Sequence, residues 1–157
     1  MRIETTLQRT FGVVVILFAC AILGSCRKGS TESVPGVSIT ISDAHTRPLT
    51  KGEPVGVAYL SIHNSGGAPD RLLSGTSPTV EAIELHESIT EDGVVKMVAR
   101  PNGFAIKPNS SFVMKPGGAH LMLFDIKEEV PASGSLELTL EFEHAGAINV
   151  DVRAEEF

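Results

Sequence analysis

The stretch Ala119–Phe124, Ala-His-Leu-Met-Leu-Phe, follows the turn Lys115-Pro116-Gly117-Gly118 and sets an imidazole beside a thioether. Read as a β-strand, it puts Leu121 and Leu123 on one face and His120, Met122 and Phe124 on the other. Two leucines can then anchor the strand while His120 and Met122 project together from the opposite side. Imidazole binds several late transition metals and thioether sulfur favours soft ions such as Cu(I), so the pair narrows the choice of ligand. A Met in a strand is more often core filling, and a lone His is more often a hydrogen-bonded surface or core residue. A metal reading therefore requires further soft donors.

His86 and Met97 supply them, giving the pattern His-x10-Met-x22-His-x-Met over His86, Met97, His120 and Met122. In the strand expected over Thr79–Glu87, Ile83 and Leu85 share one face while Ala82, Glu84 and His86 share the other. Asp92-Gly93 is hairpin chemistry, and the chain returns through Val94–Val98, which brings Met97 back toward His86. With Lys96 facing solvent, regular alternation turns Met97 inward, so ligation there requires a bulge or the end of the strand. Glu84 could orient the His86 ring, although an exposed carboxylate is more often merely solvated. Met114 shares a segment with Phe112 and reads as packing. His45 and His144 read as loop residues at the surface, and His63 as a structural residue at a strand end. A zinc enzyme built on His63, His86 and His120 lacks an evident general base. No Ser-His-Asp grouping or spaced carboxylate pair points to hydrolysis, so the expectation is a non-enzyme.

The elements that must position these donors are short. Fifteen Gly and nine Pro punctuate apolar runs at regular intervals along the 157 residues, and no long helical period appears. Strands are expected over Val37–Ile41, Val55–Asn64, Asp70–Gly75, Thr79–Glu87, Val94–Val98, Ser111–Met114, Ala119–Phe124, Leu136–Phe142 and Ala147–Val152, with Phe104–Ile106 as a brief segment. The last two long strands should pair as a hairpin. Eight or nine short strands with turns between them imply an all-β, two-sheet antiparallel sandwich or barrel with Greek-key connections.

The first residues belong to a different kind of segment. Arg2 and Arg9 precede the apolar run Phe11–Leu23, which is short for a membrane span. It ends in Leu23-Gly24-Ser25-Cys26, which resembles the lipobox of bacterial lipoproteins and implies cleavage before Cys26 and lipidation of its sulfur. On this reading residues 1–25 are a signal peptide, 26–36 are a lipidated Cys and flexible tether, and 37–153 are the folded domain. Several acyl chains on one Cys would hold the protein to a membrane. Losing residues 1–25 removes two Arg and one Glu, so the formal charge moves from −6 to about −7. Such an acidic surface excludes a basic nucleic-acid footprint. No Cys follows Cys26, so in an oxidising compartment any soft-metal chemistry must use Met and His.

The donor spacing, together with Ala58-Tyr59-Leu60-Ser61-Ile62-His63-Asn64, Leu85-His86-Glu87, Glu91-Asp92-Gly93-Val94, Lys115-Pro116-Gly117-Gly118 and His120-Leu121-Met122-Leu123, resembles the PCu(A)C-type periplasmic copper chaperones. The resemblance covers roughly Gly36 to Val152. It differs by one residue in the interval between Met97 and His120, where the family pattern has 21; Pro101-Asn102-Gly103 is the expected place for the extra residue. The resemblance implies a cupredoxin-like fold binding one Cu(I) through two His and two Met, and delivery of copper to the copper centre of a respiratory oxidase or to another copper-insertion protein. A metal-free lipoprotein interaction module and a copper buffer or resistance protein are the alternatives. Blue-copper electron transfer requires a Cys thiolate that this domain lacks.

Overall fold

Leu136, Leu138, Leu140 and Phe142 alternate with Glu137, Thr139 and Glu141, and the four apolar side chains are at most 1% exposed. The computed structural model describes residues 36–156. The expected signal segment, Cys26 and the tether as far as residue 35 lie outside the described residues. Gly36, the expected last residue of the tether, already accepts a hydrogen bond from the Ala68 amide at 2.9 Å.

Ten strands form: β1 (Ile39–Thr46), β2 (Val55–Asn64), β3 (Asp70–Thr76), β4 (Val80–Glu91), β5 (Val94–Ala99), β6 (Phe104–Ile106), β7 (Ser110–Val113), β8 (Ala119–Ile126), β9 (Ser135–Phe142) and β10 (Gly146–Ala154). Their order is β5-β4-β8-β2-β1-β10-β9-β3-β6, with β7 also paired to β2. Neighbours that are distant in sequence, such as β4 with β8 and β8 with β2, are the Greek-key crossings. All ladders are antiparallel except the short one between β1 and β10. The fold is all-β and cupredoxin-like, as expected. The count reaches ten because the brief segment Phe104–Ile106 forms a strand of its own, β6, paired with β3.

One core joins the two halves. Leu121 and Leu123 of β8, Leu60 and Ile62 of β2, Leu72 of β3 and the β9 leucines belong to the same buried cluster. The expected hairpin of the last two strands forms, with Gly146 opposite Phe142 and Arg153 opposite Ser135. The Asp92-Gly93 hairpin forms as well. Both residues have positive φ, +52° and +80°, the backbone of the tight turn that Asp-Gly favours.

The first strand departs from the expectation. It runs to Thr46 instead of stopping at Ile41, so His45 lies in β1 and pairs with Tyr59. Asp43 has φ +52°, and the register shifts between Ser42 and His45. This bulge breaks the alternation from which the strand would be recognised, which is why the sequence reads as a loop there.

Candidate metal centre

The β4–β8 ladder positions three of the candidate donors. Leu85 pairs with Leu121 and Ile83 with Leu123 toward the core, so His86 with His120 and Glu84 with Met122 occupy the opposite face. Directly opposed residues of a ladder share a face, and the two imidazole centroids are 6.0 Å apart. Met122 lies two residues along β8, about 7 Å at 3.4 Å per residue.

The fourth candidate comes from the edge strand. Met97 pairs with Ser88 in a β4–β5 ladder that runs from His86–Ala99 to Glu91–Val94 without a register shift. Met97 therefore shares the face of His86, one row along the ladder on the side away from Met122. This corrects the inward orientation expected from Lys96: Met97 is 57% exposed. Because β5 is the last strand and lies beyond the core, both of its faces meet water, and outward Lys96 does not force its neighbour inward. No bulge is needed. The Arg100 amide donates to the Leu85 carbonyl at 2.7 Å, and the Arg100 Nε donates to Glu87 at 2.9 Å; both bonds hold this end of β5 in register.

The hydrogen bonds of the two imidazoles specify their lone pairs. His120 Nδ1 lies 2.9 Å from the Gly118 carbonyl oxygen, an acceptor only, so Nδ1 carries the proton and Nε2 has the lone pair. That carbonyl also accepts from the Ser88 amide at 3.1 Å, which fastens the Lys-Pro-Gly-Gly turn to β4. His86 Nε2 lies 2.8 Å from Glu84 Oε2, so the proton is on Nε2 and the lone pair on Nδ1. Glu84 therefore bonds His86 directly and is not merely solvated. The remaining atoms, His86 Nδ1 and His120 Nε2, are both buried without a hydrogen-bond partner. A buried polar atom left unpaired costs about 1–3 kcal/mol, and here two such acceptors stand on adjacent strands beside a thioether. This donor set fits a soft cation.

Residues 39–154 match the family described as "Putative lipoprotein LpqE-like". The chain belongs to the LpqE-like family. The LpqE-like chain is 28% identical over 157 residues to "Putative lipoprotein Lxx21020" of Leifsonia xyli subsp. xyli, covering 98% of this chain and 92% of that one. It is 32% identical over 85 residues to "Uncharacterized protein RP573" of Rickettsia prowazekii, 54% of this chain and 47% of that one. Among solved structures it resembles the copper-bound PCuAC domain from PmoF2, with TM-score 0.64 and 27% identity over 80% of this chain and 98% of that domain. The Cu(I) form of DR1885 from Deinococcus radiodurans shares the fold, with TM-score 0.55 and 18% identity over 83% of this chain and 85% of that one. The resemblance to PCu(A)C domains that the sequence carries therefore holds at the level of the fold.

The rings of His45 and His63 are engaged elsewhere. His63 Nε2 is 2.9 Å from the Ser42 hydroxyl and Nδ1 is 2.7 Å from the Ser111 hydroxyl, so its ring ties β2 to β1 and β7. Among the described residues no three His, Cys, Asp or Glu side chains form a metal-holding group, and the His63–His86–His120 combination is not brought together. The His144 amide donates to Asp70, and Met114 is a core residue, 2% exposed. Sequence reasoning missed Tyr59. It lies on the other side of β8, its ring 6.4 Å from His120 and 5.6 Å from His45, and it extends the aromatic row across four strands. The signal was its parity with Val57 and Val55, but the partner strand of β2 was not legible locally.

Proposed function

We propose that this LpqE-like protein is an extracytoplasmic Cu(I) carrier. It holds one ion through His86 Nδ1, His120 Nε2 and the thioethers of Met97 and Met122, and hands it to the copper centre of a respiratory oxidase. Cys26, lipidated after removal of residues 1–25, anchors it to the membrane through the tether. The observation that carries this reading is the pair of buried, unpartnered imidazole nitrogens on residues that share a sheet face with Met122. The likeness to a copper-bound PCuAC domain supports it.

The four donors are neutral, so they suit a monovalent soft ion, and thioethers remain competent where thiols are lost to disulfides. Glu84 fixes the His86 ring by its hydrogen bond and places one negative charge near the bound cation. Release begins at Met97. Its side chain is flexible and exposed, so an incoming donor displaces it first while the two imidazoles still hold the ion.

A competition titration with a Cu(I)-selective chelator tests the reading. The wild-type protein should take up one Cu(I). Met122→Leu should weaken affinity by more than about a hundredfold, beyond what loss of a residue that only orients a ligand typically costs. Because the swap conserves volume, stability should fall by less than about 1.5 kcal/mol. Equal Cu(I) affinity of the two proteins would refute the ligand set, and no uptake by either would leave a metal-free association module.

A further inference from the structure

The candidate metal centre lies within an apolar surface. On the ligand face, Val95 is 69% exposed, Met97 57% and Val55 41%. Val95 shares the parity of Met97 on β5. Val55 pairs with Phe124 and Val57 with Met122, so β2 continues this face past β8. There a cleft of about 540 Å³ opens, lined by Leu49, Val55, Val57, Tyr59 and Pro116 together with Arg47 and Glu53. Apolar surface thus flanks the donors on both sides.

Charge is sparse on the strands of this face, with Arg47 and Glu53 standing at the cleft beyond β8. Within residues 55–59, 82–88, 95–99 and 120–124, Glu84 is the one charged residue at a ligand-face position, and its carboxylate is bonded to His86. In a chain with 20% charged residues, such a stretch of exposed valine and methionine marks a surface that is covered at times. His120 is 3% exposed and the His86 side chain 14%. A donor from another molecule must therefore approach past Met97, and the surface that carries it must rest on Val95 and on the Val55–Tyr59 flank.

We propose that this face is the docking surface for the protein that accepts the copper: a partner with an apolar, low-charge surface and a thiolate, thioether or imidazole at its centre. The inference rests on the proposed carrier role. Contact between apolar rims brings the partner's donor beside Met97, and transfer occurs inside the covered patch. Partner charge set against Val95, Met97 or Val55 would be buried unpaired, which confines any charge on the partner to the cleft side near Arg47 and Glu53. With few charges to steer the encounter, the complex depends on contact area.

The probe is the soluble copper-centre domain of a respiratory oxidase in its metal-free form, titrated against the full chain in lipid nanodiscs loaded with one Cu(I). The double variant V55Q/V95Q should raise the Kd for the probe at least tenfold while changing Cu(I) affinity less than threefold. Leu73→Gln, a control on β3 whose exposure of 40% matches that of Val55, should change neither. An unchanged Kd in V55Q/V95Q, an equal loss in Leu73→Gln, absence of probe binding, or self-association through the same residues would overturn the docking surface. Failure of the wild-type chain to take up Cu(I) would instead remove the carrier role, whatever the probe does.

Discussion

Strands β9 and β5 are both rich in apolar residues, yet β9 hides them and β5 displays them. In β9, Leu136, Leu138, Leu140 and Phe142 point into the common core, and the strand is bonded on both sides, to β10 and β3. In β5, Val94, Val95 and Met97 are all more than half exposed, and the strand is bonded to β4 alone. Apolar side chains stabilise the fold only where a second layer covers them. Beyond that layer they contribute little to stability and are free to serve a ligand or a partner. Apolar side chains therefore carry stability in β9 and in β5 are left free for the proposed recognition.

Substitutions that separate the two roles test this contrast. The largest effect on folding belongs to β9: Leu138→Ala, at a fully buried position, should lower unfolding free energy by about 2–5 kcal/mol in denaturant titrations. Its Cu(I) affinity under folding conditions should stay at the wild-type level; a parallel loss of affinity would mean that the halves are coupled. Met97→Leu on β5 should do the reverse. Stability should move by less than about 0.5 kcal/mol, as for an ordinary surface change, while Cu(I) affinity falls, though less than in Met122→Leu because the exposed side chain is the most readily displaced donor. A stability loss comparable to that of Leu138→Ala would show that Met97 belongs to the core after all. A smaller effect on folding than at Leu138 is expected at the hairpin that sets the register of β5. Gly93 has φ +80° and open space where a Cβ would stand, so Gly93→Ala meets only backbone strain, about 1–2 kcal/mol, visible as a modest drop in thermal midpoint.

The contrast also explains what the sequence could and could not convey. The β9–β10 hairpin, the Asp92-Gly93 turn and the two faces of β8 are legible because a strict period of two coincides with burial on one side. His86, His120 and Met122 inherit their common face from the leucines between them. Met97 is misread by the same rule, since an edge strand outside the core has no buried face for the rule to detect. His45 is misread because the left-handed backbone at Asp43 shifts the register inside β1. Tyr59 becomes a neighbour of His120 only through the crossing that lays β2 against β8, a long-range pairing that no local pattern announces. The hydrogen bonds that leave His86 Nδ1 and His120 Nε2 unpartnered are likewise a product of the assembled ladder.

X-ray absorption at the copper edge of the wild-type chain loaded with one Cu(I) tests the central claim most directly. Two nitrogen and two sulfur neighbours around the ion are the predicted result. A first shell without sulfur would contradict the account.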